Sequence, residues 1–320
     1  MHSLVLEAAA RSVQARRRIR SYIYETPLLP SRQIGRDIGS SLFFKAENFQ
    51  LTGSFKIRGA ASKMTSLGIK RGVITASSGN HGIASAQAAA SIGQALTIVL
   101  PETVAPAKLE KIRSYNVNVI LHGAESGQAE LHAQKEAKAR NLVYVSPYND
   151  TEIVAGQGTI GLELLEQAEE IDNVFIAMGG GGLIGGIGSV LKSFSRSTRV
   201  FGVAAQNSAA LATSIAAGRV VETEHLETLA DGVAGGMDED SITLPLAMAV
   251  VDEVVSCTEA EIADALKQLA YRENQIVEGA AALALAGLLK VSERCRGQRN
   301  VVVLCGANFD HDKIFSVLNS

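Results

Sequence analysis

The chain has 320 residues, 47% of them hydrophobic, and a formal net charge of −3 from 30 Lys+Arg against 33 Asp+Glu. At roughly 150 residues per domain, that is apolar material for about two packed units, which excludes a disordered or low-complexity scaffold. No basic surplus is left to neutralise a phosphate backbone, so the composition excludes a nucleic acid partner. Cys257, Cys295 and Cys305 contain no CxxC pair and cannot all pair internally. They read as reduced thiols of a cytoplasmic protein.

Helical spacing over residues 4–24 ends ahead of Thr26-Pro27, because the residue before a proline is pushed out of the helical region. Arg16, Arg17, Arg18 and Arg20 are followed by no apolar run, and Glu7 breaks the acid-poor pattern of an organelle presequence, so this is a plain opening helix. Residues 41–47 (SLFFKAE) read as a short strand. Alternation follows: helix 60–67, strand 72–76, an Ala-rich helix 82–92, and a buried-type strand 95–100 ending at Pro101. Helix 107–115, strand 118–121, helix 128–140 and strand 142–145 continue it. The second half repeats the rhythm with helix 158–167, strand 174–178, helix 183–194 and strand 200–204. Helices 259–274 and 279–291 and strand 301–304 close the chain. The apolar stretch 279–289, bounded by Glu278 and Lys290, is far shorter than the ~20 residues of a membrane span. Such alternation implies parallel sheets covered by helices on both faces, and hence two α/β units with a cleft between them. Residues 217–240 are the longest stretch without a period, and loops of that length are often functional.

Three segments carry chemistry. Gly53-Ser54-Phe55-Lys56-Ile57-Arg58-Gly59 sets a lysine between two glycines, after a strand and ahead of a helix. Most lysines are solvated surface charges; a desolvated one beside another cation has a lowered pKa and forms Schiff bases. Sequence does not show which way Arg58 points. Ser77-Ser78-Gly79-Asn80-His81-Gly82 falls at a strand-to-helix turn. It reads either as a side-chain helix cap or as a cradle for an anionic group beyond the strand's C-terminus, and His81 is open to a core or a chemical role. Gly179-Gly180-Gly181-Gly182-Leu183 lets backbone amides converge on an anion at a helix N-terminus, where the dipole also favours negative charge. Gly180, Gly182 and Gly185 satisfy G-x-G-x-x-G, yet the next strand runs into Ala205 and Gln206 with no acidic residue for a ribose. No GK[ST] follows either, so a compact phosphate fits better than a dinucleotide or a nucleoside triphosphate. Neither HExxH nor CxxC is present, which leaves zinc without a ligand set. His225, beside Glu222 and Glu224, reads as surface.

Taken in order, ENFQLTGSFKIRGA (47–60), SSGNHG (77–82), AGQGTIGLELLEQ (155–167), GGGGLIGG (179–186), LADGVA (229–234) and VLCGANFD (303–310) form a specific pattern. From TPL at 26–28 onward the chain resembles the fold-type II pyridoxal-phosphate enzymes, and within them the threonine/serine dehydratase and serine racemase group. The resemblance implies a tryptophan synthase β-like α/β architecture of two parallel-sheet domains, with pyridoxal 5'-phosphate in the interdomain cleft. The large domain would comprise residues 1–47 plus 149–320 and the small one residues 48–148. Lys56 is then implied as the residue joined to the cofactor aldehyde. Phe55 would lie against the ring, Asn80 on the ring hydroxyl and Glu278 along the ring. Gly179, Gly180, Gly181, Gly182 and Leu183 would hold the phosphate. Ser77, Ser78, Gly79, Asn80 and His81 would take the substrate carboxylate. Cys305 would face the pyridine nitrogen, where a neutral thiol does not force a proton onto the ring; the weaker electron sink favours β-elimination.

The implied activity is that of an ammonia-lyase on a small β-hydroxy amino acid such as L-threonine or L-serine. Lys56, released by the substrate amine, would take the Cα proton, the β-hydroxyl would leave, and hydrolysis would give a 2-oxo acid and ammonia. A cytoplasmic homodimer is implied. The same site would racemise its substrate if Lys56 and Ser78 worked on opposite faces of Cα. The SSGNH turn differs from the TSGNT-like turn of cysteine-synthase-type β-replacement enzymes, and EGAAALALAG (278–287) in place of EP[ST]GA is similar to the hydroxyectoine-utilisation dehydratase branch. Ala204 and Ala210 stand where related racemases carry acidic metal ligands, so no divalent cation is expected there. With the chain stopping at Ser320, no effector-binding domain is expected after VLCGANFD.

Overall fold

The computed structural model describes residues 3–68 and 71–320. Its strands are β1 (Leu28–Pro30), β2 (Ser41–Lys45), β3 (Val73–Ala76), β4 (Leu96–Leu100), β5 (Asn118–Leu121), β6 (Val143–Tyr144), β7 (Asn173–Ala177), β8 (Arg199–Ala205), β9 (Glu253–Cys257) and β10 (Arg299–Val303). They form two sheets. The larger has the order β1-β2-β10-β7-β8-β9 and the smaller β5-β4-β3-β6. Every pairing is parallel except β1 on β2. Parallel strands are covered on both faces and so need unbroken apolar sequence; β4 (LTIVL) and β7 (NVFIA) are buried at every residue.

The apolar stretch after Glu278 is a core element. Helix Gly279–Lys290 is buried from Gly279 through Leu288, and its alanines and glycine let it lie close against the larger sheet. Among the described residues no helix is long and apolar enough to cross a membrane.

Several boundaries differ from expectation. Helix Thr151–Gln167 begins at Thr151 rather than 158, because the Asp150 side chain accepts the Glu152 and Ile153 amides as an N-cap. The glycines that look like breakers in this stretch serve close packing: a Cβ on Gly156 would lie 2.4 Å from the Arg58 carbonyl oxygen. Helix Lys56–Leu67 likewise starts at Lys56 rather than 60, and the first helix, Ser3–Ile19, stops short of 24. The three-residue β1, β9, and helices Ala210–Ala217, Thr243–Val250 and His311–Asn319 were not legible in the pattern. Residues 217–240 contain one short 3-10 turn, Asp231–Val233.

Parallel strands deliver the segments that follow them to their C-terminal edge, where open α/β sheets bind ligands. Gly179 and Gly180 follow β7, and Cys305 follows β10, its neighbour in the sheet. Ser77 follows β3 of the smaller sheet and Pro147 follows β6.

Candidate active site

A cleft, open to solvent, is lined by residues that follow strands of both sheets, the place where open α/β sheets take small ligands. Lys56 opens helix Lys56–Leu67, and its Nζ donates to the Pro147 carbonyl at 2.8 Å. Burial pulls its amine down to about 8, although nearby Cys305 and Glu278 favour the charged form. Arg58, two positions on, points the other way. Fully buried, it donates to Glu47 (Nε to Oε2 2.8 Å, Nη2 to Oε1 2.8 Å) and to Glu163 (Nη1 to Oε1 2.5 Å), and Lys45 donates to Glu163 Oε2 at 2.5 Å. Arg58 is therefore a structural anchor beneath Lys56 rather than the cation that lowers its pKa.

The glycine loop leads from β7 into helix Gly182–Phe194. Gly181, the N-cap, has φ +87 and no side chain caps the helix, which leaves its first amides for a ligand. A Cβ on Gly180 would lie 2.4 Å from Tyr148 Cγ. A side chain there would fill the cradle.

Opposite stands Glu278, which is buried and whose two carboxylate oxygens each accept from Asn80 Nδ2 (3.0 and 2.9 Å). The Asn308 amide donates to Glu278 Oε2 at 3.2 Å and the Cys305 thiol to Oε1 at 3.6 Å. Burial pushes the Glu278 carboxyl up to about 7 in spite of these donors. Burial, then Glu278, holds the Cys305 thiol well above its ordinary value, so it stays neutral.

The structure brings Phe55, Lys56, Asn80, Gly179, Gly180, Gly181, Gly182, Leu183, Glu278 and Cys305 to one cleft. Ser77, Ser78 and Gly79 form the turn before helix Asn80–Ile92 but do not line that cleft. Gly79 is the N-cap and no side chain caps the helix; Ser77 Oγ accepts the Gly79 amide at 3.2 Å. The side-chain cap considered from sequence is thus not made. The His81 ring is turned into the smaller lobe, with Nε2 3.0 Å from Thr75 Oγ1 and 3.2 Å from the Val145 carbonyl. Burial and the Lys56 charge lower it to about 3, so it is neutral near pH 7. Its side chain has no reach to a carboxylate in the cleft; its backbone amide is what the turn offers.

Sequence reasoning missed Tyr148, Gln157, Gly232 and Val233, which also line the cleft, and Asn308, whose Nδ2 donates to Asn80 Oδ1 at 2.7 Å. Asn308 lies within the VLCGANFD segment, and Gly232 and Val233 within the aperiodic stretch 217–240. Gln157 carried no signal beyond its place in AGQGTIGLELLEQ (155–167), and Tyr148, in the segment PYND at 147–150, needed three-dimensional placement.

A family model described as pyridoxal-phosphate dependent enzyme matches residues 19–306. The chain belongs to that family. An L-threonine ammonia-lyase of Thermotoga maritima is 37% identical over 312 residues, 96% of this chain and 77% of that protein. The solved structure of threonine deaminase isoform 2 from Solanum lycopersicum has a TM-score of 0.93 at 30% identity, covering 98% of this chain and 92% of its own. Maize serine racemase has a TM-score of 0.90 at 31% identity, covering 97% and 96%. The fold is that of these fold-type II pyridoxal-phosphate enzymes, as the sequence motifs imply.

The donor set fits pyridoxal phosphate. A desolvated primary amine suits an aldehyde, glycine amides at an uncapped helix N-terminus suit a phosphate dianion, and Gln157 Oε1, buried with no hydrogen-bond partner, is an acceptor still to be satisfied.

Proposed function

We propose that this protein is a lyase that eliminates the β-hydroxyl of a small β-hydroxy amino acid, L-threonine or L-serine, to give a 2-oxo acid and ammonia. One observation carries the reading: the Lys56 amine, lowered to about 8 by burial, shares a cleft with an uncapped glycine loop and a neutral thiol. Pyridoxal phosphate, when bound, supplies an aldehyde for the substrate amine and a ring that withdraws electrons from Cα.

Gly179 to Leu183 would hold the phosphate through backbone amides, and Phe55, Asn80 and Glu278, which line the same cleft, would hold the ring. The Lys56 amine, when free, would take the Cα proton; an amine near pKa 8 is substantially neutral at slightly alkaline pH, as a general base must be. The Cys305 thiol, kept neutral, would not force a proton onto the ring nitrogen. Water leaves as the hydroxyl departs, and water returns in the hydrolysis that frees ammonia, so the atoms balance. The substrate carboxylate would lie where the Ser77–Gly79 turn enters the cleft at Asn80, with Ser77, Ser78, Gly79 and the His81 amide beside it.

The domain division at 47/48 and 148/149 belongs to the same reading, supported by β3 to β6 pairing among themselves. A homodimer is supported by exposed Leu4, Leu6 and Val13 on the first helix, and a cytoplasmic location by three unpaired cysteines.

The test measures 2-oxo acid and ammonia across L-threonine, L-serine, their D-forms, hydroxyaspartates and hydroxyectoine-derived acids, with chirality of the residual substrate followed in parallel. Turnover of L-threonine or L-serine supports the proposal. Inverted residual substrate without ammonia would make the protein a racemase, and ammonia from a hydroxyectoine-derived acid alone would move it to that branch.

A further inference from the structure

Among the described residues the Lys56 amine has a single hydrogen-bond acceptor, and it is a main-chain atom. The Pro147 carbonyl lies 2.8 Å from Nζ, in the turn between β6 and helix Thr151–Gln167. That turn is held tightly. The Asn149 amide donates to Ser146 Oγ at 2.9 Å. The Asn149 side chain spans to the segment ahead of helix Thr243–Val250: Oδ1 accepts the Ile242 amide at 2.9 Å, and Nδ2 donates to Asp238 Oδ2 at 2.9 Å and to Asp240 Oδ1 at 3.4 Å. Beside it, the Tyr148 hydroxyl accepts the Asp238 amide at 2.7 Å. The receiving segment is itself fastened to the glycine loop, through Thr243 Oγ1 donating to the Gly180 carbonyl at 2.6 Å.

We propose that Asn149 is a positioning residue for the elimination: by fixing the Pro147 carbonyl it gives the free Lys56 amine one acceptor and thereby one orientation. The inference rests on the reading of Lys56 as the base. A neutral amine has two N–H bonds and one lone pair. Committing one N–H to an immobile carbonyl confines the rotation of a long, flexible side chain and restricts the directions in which the lone pair can face. After proton transfer the same carbonyl receives a charged donor, and such hydrogen bonds are stronger than neutral ones. The ammonium is thus favoured slightly, against the desolvation that lowers it. The other groups facing Nζ are the Glu278 carboxyl and the Cys305 thiol, while His81 behind it is neutral. Asn149 touches none of these, so its effect on Lys56 passes through the turn.

The experiment compares wild type with Asn149→Ala. In the full chain stripped of cofactor, reductive methylation of Lys56 is followed against pH by mass spectrometry; in the holoenzyme, kcat and KM are measured against pH. The expected result is a methylation midpoint displaced to lower pH, with kcat falling about 10- to 100-fold, KM within about twofold, and the acid limb of kcat moving the same way as the midpoint. A wild-type midpoint in a folded variant overturns the proposal, whatever kcat does. If Asn149→Ala does not fold, Tyr148→Phe removes a neighbouring anchor of the same turn and is judged by the same midpoint. Borohydride trapping of cofactor on wild-type Lys56 keeps the two readings apart: absence of trapping sinks the catalytic assignment of Lys56, whereas normal trapping with an unmoved midpoint sinks only the role of Asn149.

Discussion

Asn80 Nδ2 donates to both oxygens of Glu278, at 3.0 and 2.9 Å, and so ties the first turn of helix Asn80–Ile92 to the residue that precedes helix Gly279–Lys290. The carboxyl it holds is buried and raised from 4.5 to about 7. A carboxyl whose folded pKa exceeds its unfolded value binds its proton more tightly when folded. Its contribution to stability is complete below the unfolded pKa and is lost as pH rises through the folded one. The wild-type stability relative to Glu278→Gln should therefore fall by on the order of 3 kcal/mol between pH 4.5 and pH values above 7. Urea unfolding of both chains without cofactor at several pH values checks this; parallel curves would contradict it.

Arg58 is buried against two carboxylates that no other guanidinium reaches among the described residues. Removing one partner of a buried ion pair leaves uncompensated charge and costs about 3–5 kcal/mol. Arg58→Met should lose that much in denaturant unfolding. Arg58→Lys should recover only part of it, because an ammonium cannot reproduce the fork to Glu47.

Lys56→Ala should lower 2-oxo acid formation from L-threonine by roughly 10²- to 10⁴-fold, the range of general-base contributions, and abolish borohydride fixation of the cofactor to that position. With the deprotonated Lys56 amine as the proposed base, kcat should rise with pH through about 8. A kcat that falls over that interval would argue for a different base.

Gly180→Ala places a methyl 2.4 Å from the Tyr148 ring. Overpacking of this kind costs about 1–3 kcal/mol, and here it falls on the proposed phosphate cradle. Cofactor affinity, titrated by absorbance, should weaken about tenfold or more, and the melting temperature of the cofactor-free chain should fall by about a few degrees. Unchanged affinity would show that the loop amides are not the phosphate ligands.

The strands of both sheets were legible where burial on two faces demands continuous apolar sequence, as in β4 and β7. The three-residue β1 and the alternating β9 (EVVSC) fell below that threshold. Gly156 is a sequence-level helix breaker that the fold uses for contact between helices, which is why the start of helix Thr151–Gln167 was misjudged. At the site, the glycine loop and Lys56 were readable because each lies within a short contiguous segment with a local chemical signature. The direction of Arg58 was not, since Glu47 and Glu163 reach it only through tertiary packing. The same holds for Tyr148, whose place above Gly180 depends on residues distant in sequence.

The Arg58 cluster also bears on how the molecule can be taken apart. Lys45, Glu47 and Glu163 lie outside residues 48–148, while Arg58 lies inside. A gene fragment encoding that interval alone would yield a chain with an orphan guanidinium in its interior, and the remainder would keep two acids with a single ammonium between them. The halves are therefore poor candidates for module swapping or split-protein reporters. Circular permutants should open the chain elsewhere, at surface turns such as that around Gly218, where an added side chain would meet nothing within 4 Å.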